Sequence, residues 1–185
     1  MRDGGAVRRR SLLAATSAAL VLTVSAGLGL TGCGSPRMAA LHANCTTKGL
    51  RWKLTVLKKP AHGTHRDARL TIVNKTARPC VFGGYPLFEV HVGKGPMAGG
   101  KGRGAVPTPI DLRAGGTVTT ALRYQDAWPG TPSDECLVSN MEATVAAPHD
   151  RALRSITARD ESGRRSLLNV CDDTVWMSPP KEAAE

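Results

Sequence analysis

From Leu50 the chain alternates strictly, with Leu50, Trp52, Leu54 and Val56 on one face and Arg51, Lys53 and Thr55 on the other. That period predicts a half-buried strand. Leu70 and Ile72 alternate with Arg69, Thr71 and Val73 in a second, which ends at the turn signal Asn74-Lys75-Thr76. After Cys80-Val81-Phe82-Gly83-Gly84-Tyr85-Pro86 the chain restarts as a strand through Leu87, Phe88 and Val90. The two glycines allow a sharp change of direction, and Tyr85 and Pro86 are placed to pack over whatever bridge Cys80 makes. Val118, Thr120, Leu122 and Tyr124 mark one face of another strand behind the turn Gly115-Gly116. Met141–Ala146, Leu153–Ala158 and Leu167–Val170 are three shorter ones, and Val175–Met177 reads as a last edge strand. Two segments break the pattern. Gly93–Gly104 is so poor in apolar residues that it is expected to be a mobile loop, and the tail 178–185 is expected to be disordered. Seven or eight short strands, with no run of helical period among them, predict an all-β domain: an immunoglobulin-like antiparallel β-sandwich over residues 45–177.

The N-terminus obeys a different pattern. Arg2, Arg8, Arg9 and Arg10 precede an apolar run from Leu12 to Leu30, and the run ends in Leu30-Thr31-Gly32-Cys33. This is the form of a signal peptide over 1–32 followed by a lipobox, in which the Cys33 thiol takes a diacylglyceryl group and becomes the first residue after cleavage. Arg9-Arg10 also has the form of a twin-arginine export signal. The competing reading, an uncleaved membrane-spanning helix, leaves the later residues on the same outer side, because the arginines stay cytoplasmic. Residues 33–44 then form a short lipidated tether. The expected location is the outer face of the cell membrane.

Cleavage leaves 153 residues, enough for one domain with a proper core, carrying a net charge of +7. The charge is uneven. Arg37 to Arg103 holds 13 Lys and Arg against only Asp67 and Glu89, whereas Gly104 to Glu185 has 8 basic and 12 acidic residues. One side of the domain is therefore expected to be strongly positive. Outside the cell the available polyanions are lipid headgroups and anionic envelope polymers, which makes nucleic acid an unsuitable partner.

Cys45, Cys80, Cys136 and Cys171 remain once Cys33 is assigned to lipid, and an even number in an oxidising compartment reads as two disulfides. Of the three possible connectivities we favour Cys45 with Cys80 and Cys136 with Cys171, since each half of the chain then closes a loop on itself. No closely spaced Cys-x-x-Cys pair is present to suggest zinc.

Asn74-Lys75-Thr76, Pro79-Cys80-Val81-Phe82, Gly84-Tyr85-Pro86, Leu112 with Gly115, Leu122-Arg123-Tyr124, Cys136, Val145 with Pro148, and Cys171 together resemble the domain-of-unknown-function 4232 family of actinobacterial secreted and lipid-anchored proteins. The likeness runs from Cys45 to Met177, and its most specific part is the spacing of Asn-x-Thr, Cys and Gly-Tyr-Pro. It implies an all-β extracytoplasmic domain with two disulfides and no established activity. The chain departs from the family at Arg113-Ala114, where a proline is usual before the glycine, and in the Gly- and Lys-rich stretch.

No Gly-x-Ser-x-Gly, His-Glu-x-x-His or phosphate loop occurs, so no catalytic residue and no cofactor is assigned. His62 and His65, with Met97, are the residues a copper or zinc ion would use, although histidines in polar loops are more often simply solvated. Asp172-Asp173 is a poor acid–base pair, because adjacent strand residues point to opposite faces. Trp52 is expected in the core, and Trp128 and Trp176 are read as packing residues before glycan-stacking ones. Lys94, Lys101 and Arg103 are the candidates for a basic loop laid along a polyanion. The expected function is a lipid-anchored, non-catalytic binding module whose partner is an anionic envelope polymer or another exported protein. The alternative is a metal-handling or hydrolase accessory.

Overall fold

The computed structural model describes residues 42–60, 63–127 and 135–183. Its strands are β1 (Leu50–Val56), β2 (His65–Asn74), β3 (Cys80–Phe82), β4 (Leu87–His91), β5 (Met97–Gly102), β6 (Ile110–Leu112), β7 (Thr117–Gln125), β8 (Val138–Asn140), β9 (Glu142–Ala146), β10 (Arg154–Asp160), β11 (Leu168–Val170), β12 (Thr174–Met177) and β13 (Lys181–Glu182). The described residues contain no α-helix.

Eight of these strands form one continuous ring in the order β12-β5-β4-β9-β10-β1-β2-β7, and β7 pairs back onto β12. The sheet is a closed barrel, not the immunoglobulin-like sandwich that the sequence pattern suggests. Alternation reports only that each strand has one buried face, and a barrel and a sandwich both meet that condition. The distinction lies in which strands meet, and two of the contacts between strands distant in sequence are parallel. β1 runs parallel to β10, with Leu54 beside Ala158, and β12 runs parallel to β5, with Trp176 beside Lys101. All other pairings in the ring are antiparallel. Short ribbons lie at the two ends of β7. β3–β6 sits beside its start, where the Asn74 amide donates to Leu112 O, and β8–β11 sits beside its finish, where Cys171 N donates to Gln125 O.

The inward faces build a single core. Leu50, Trp52, Leu54 and Val56 of β1 meet Leu70 and Ile72 of β2, Val118, Leu122 and Tyr124 of β7, and Val175 and Met177 of β12. The β1 alternation is therefore as expected, and Trp52 is buried, with its indole N–H donating to Thr47 O at 3.2 Å. The favoured disulfides form: Cys45–Cys80 and Cys136–Cys171 each close a separation of 35 residues. On the chain-entropy account each stabilises the fold by about 4 kcal/mol.

Three expectations are corrected. Residues 97–102, at the centre of the supposed mobile loop, are β5, a barrel strand paired on both edges. Glycine is required there because neighbouring side chains occupy its space. A Cβ on Gly102 would overlap the Tyr85 ring, and one on Gly100 would come within 3.0 Å of Met177 Cε and Phe88 Cβ. Strand β12 is not an edge, since it closes the ring. Finally, residues 178–183 of the tail are docked. Ser178 N donates to Ala121 O, Pro180 is buried, β13 pairs with β7, and Ala183 N donates to Thr117 O.

Replacing Gly102 by alanine is expected to destabilise the barrel by about 1–3 kcal/mol through overpacking against Tyr85. Gly99, whose Cβ direction is open, is the control. Chemical denaturation should separate Gly102→Ala from a near-neutral Gly99→Ala.

Candidate functional site

Once the inward faces are filled, the outward ones decide what the molecule can bind. β2 sends Asp67, Arg69 and Thr71 outward, β7 sends Ala121 and Arg123, and register sets Asp67 opposite Arg123 and Arg69 opposite Ala121. On the far side of β7, Trp176 of β12 lies beside Arg123 and, across β12, beside Lys101. Just after β5, Arg103 N donates to Met177 O at 2.8 Å, which brings the Arg103 guanidinium over the Trp176 ring, 5.9 Å from its centroid. Asp67, Arg69, Arg103, Arg123 and Trp176 line one shallow groove of about 360 Å³.

Three guanidinium groups face one carboxylate in this groove, and that carboxylate is committed. Arg123 holds Asp67 with two bonds, Nε at 2.7 Å and Nη2 at 3.0 Å. The hydrogen bonds from Arg123 keep the Asp67 carboxyl below its ordinary range and raise Arg123 in return. Among the described residues no carboxylate pairs with Arg69 or Arg103. Trp176 remains 40% exposed, an indole presented to solvent with a cation on it. The positive wall extends beyond the groove. Arg159 of β10, Thr55 of β1 and Arg69 of β2 share one row, while Arg51 and Lys53 point outward from β1. The groove thus offers a flat ring for stacking and two cations available to an anion.

The structure divides the sequence candidates. Lys101 and Arg103 come together beside Trp176, but as part of a strand and its exit, not as a loop. Lys94 lies apart, in the exposed turn between β4 and β5. His62 and Trp128 lie outside the described residues. His65 is exposed at the start of β2 opposite Gln125, whereas Met97 begins β5 and pairs with His91. Among the described residues no three His, Cys, Asp or Glu side chains gather as a metal site. Asp172 and Asp173 are occupied locally, with Asp172 accepting from Asp173 N and Asp173 from the Thr174 hydroxyl. Trp176, read as a packing residue before a stacking one, is 40% exposed and lines the groove. Asp67, Arg69 and Arg123 were not singled out from sequence. Alternation places Arg69 and Arg123 on outward faces, but nothing in the sequence makes β12 their neighbour.

The family model for the domain of unknown function DUF4232 matches residues 45–178. The chain belongs to the DUF4232 family. No curated protein and no solved structure matches it. The residues that carry the family likeness do structural work. Asn74, fully buried, donates from Nδ2 to Arg78 O and Leu112 O and accepts at Oδ1 from Thr76 N and the Thr76 hydroxyl, so its amide is completely satisfied. Tyr85 lies over Gly102 and donates its hydroxyl toward Arg103 O and Ala105 O, fixing the backbone from which Arg103 reaches Trp176. In this DUF4232 protein β13 lies beyond the matched span.

A depressed Asp67 pKa means that the Asp67–Arg123 bridge is intact at neutral pH and is lost only as pH falls through the lowered value. Both side chains are well exposed, at 38% and 57%. Asp67→Asn should therefore cost only about 0.5 kcal/mol at neutral pH and nothing in strong acid. Denaturant unfolding of both proteins under the two conditions checks the sign.

Proposed function

We propose that this protein is a lipid-anchored, non-catalytic binding module at the outer face of the cell membrane, and that it binds an anionic envelope component through the groove around Trp176. The anchoring half of this reading rests on the basic N-terminus and on Leu30-Thr31-Gly32-Cys33, and two disulfides suit an oxidising compartment. The binding half rests on one observation: an exposed indole with Arg103 over its face and Arg69 in the same groove, neither cation paired with a described carboxylate. An exposed indole and guanidinium groups free of carboxylate partners together suit a polymer that alternates flat rings with negative charge. The groove is partly open to solvent, which leaves room for a chain to lie along the wall.

The sheet, the core and both disulfides close within residues 45–183, so the chain from Arg37 onward is suited to testing in soluble form. It is expected to bind washed cell envelopes saturably. Trp176→Ala and the pair Arg69→Gln with Arg103→Gln should each weaken binding at least about tenfold, the scale of a hot-spot residue. Equal binding by all three proteins would remove the groove from the reading. Independently, Cys33→Ser in the full chain should release the protein from the membrane fraction.

A further inference from the structure

The chain enters the barrel at one defined end. Ala43–Cys45 runs parallel to β3, with Val81 N donating to Ala43 O and Cys45 N to Val81 O, and the Cys45–Cys80 disulfide locks the crossing. His42 Nδ1 lies 2.7 Å from Asp111 Oδ1 on β6. Cys33 stands nine positions before His42. A chain of that length spans at most about 30 Å even when fully extended.

The entry end carries its own cluster of cations, separate from the groove. Lys75 N donates to Gly49 O, setting Lys75 beside Lys48. Asn74 holds Arg78 O, and Asp150 accepts from Thr47 N, which brings the neighbouring Arg151 to the same end. Residues 75–79, Lys48 and Arg151 are all exposed. Two carboxylates there, Asp111 and Asp150, keep their charge and leave the four cations a net excess of two. Asp111 faces His42, and Asp150 accepts backbone N–H groups of Thr47 and Ala152, which hold its carboxyl below the ordinary range. Arg113 and Glu182 line one groove nearby and cancel in charge. Lys48, Lys75, Arg78 and Arg151 have no carboxylate partner among the described residues.

We propose that this end of the barrel docks on the anionic phospholipid headgroups of the membrane that holds Cys33. The inference rests on lipidation of Cys33, which places a bilayer within reach of these side chains. A lipid fixes a point on the membrane but not an orientation. Four cations around the chain entry supply the orientation, since each Lys or Arg near an anionic surface adds to its attraction. The charge acts only at close range, because the Debye length at physiological salt is about 8 Å.

The test uses the soluble chain from Arg37 with vesicles of phosphatidylcholine, with and without about one-third phosphatidylglycerol, by co-sedimentation at a low salt of about 0.1 M, where the Debye length is about 10 Å, and a high salt of about 1 M, where it is about 3 Å. Binding is expected only with phosphatidylglycerol and only at low salt. Each neutralised cation should weaken it about fivefold, so Lys48→Gln, Lys75→Gln and Arg78→Gln together should weaken it about a hundredfold. Arg78→Gln alone gives the single step should the triple variant fold poorly. Arg69→Gln with Arg103→Gln should bind these vesicles as the parent does. Indifference to phosphatidylglycerol, or unchanged binding by both Arg78→Gln and the triple variant, overturns the proposal. So does loss of vesicle binding in the groove variant, which would assign the membrane to the Trp176 wall. No lipid anchor enters this experiment, so failure of the Cys33 reading appears separately, as retention of Cys33→Ser in the membrane fraction.

Discussion

Closure of the sheet depends on β12, a strand of four residues that has to pair on both edges. One edge runs parallel to β5 and the other antiparallel to β7, and without it β5 would be a free edge and β7 would keep only β13 on that side. A strand this short can bridge the gap only if its neighbours come close. Gly100 and Gly102 permit that approach on the β5 side, where Phe88, Met177 and Tyr85 take the volume that side chains would otherwise occupy. The same closure assembles the groove. Trp176 faces outward because Val175 and Met177 face inward, and the register that seals the barrel sets its indole beside Arg123 and Lys101. The site is a by-product of the seam.

A second constraint holds the end where the chain enters. Asn74 and Thr47 are buried polar residues, each meeting its hydrogen-bonding needs through segments far away in sequence. Asn74 ties the β2 turn to Arg78, Leu112 and the Gly115-Gly116 turn. Thr47 accepts from Ala147 N through its hydroxyl and donates its own N–H to Asp150. Such groups are expensive to bury unless every donor and acceptor is matched. Matched, they leave little freedom in the loops that carry Lys48, Lys75 and Arg78. The Asn-x-Thr spacing, formally a glycosylation sequon, acts here as an internal clasp.

Much of this was legible from sequence, within definite limits. Periods of two located β1 and β7 closely, because each has a fully buried face and a more exposed one. Cysteine spacing led to the pairing that forms. Closure was not legible, since parallel contacts between β1 and β10 and between β5 and β12 join strands separated by most of the domain, and no turn signal marks them. Nor was β5, whose composition reads as loop because its inward volume is supplied by Tyr85, Phe88 and Met177 instead of its own side chains. The groove shared that fate: Lys101 and Arg103 were visible as a basic pair, yet their neighbours Trp176, Arg123 and Arg69 come from strands that only closure unites.

The two basic regions stand at different positions along one wall, and the distance has a consequence. Thr117, at the entry end, and Arg123, in the groove, are six residues apart on β7, about 20 Å of strand. A barrel seated on its entry end would hold the Trp176 groove well beyond the Debye length from the headgroups, so the charges at one region would scarcely be felt at the other. An isotropic basic protein would be drawn onto the bilayer by whichever face met it first and would leave its binding face buried there half the time. The cations at the entry end and those left over from the Asp67–Arg123 bridge in the groove concentrate positive charge at two separate places on the barrel.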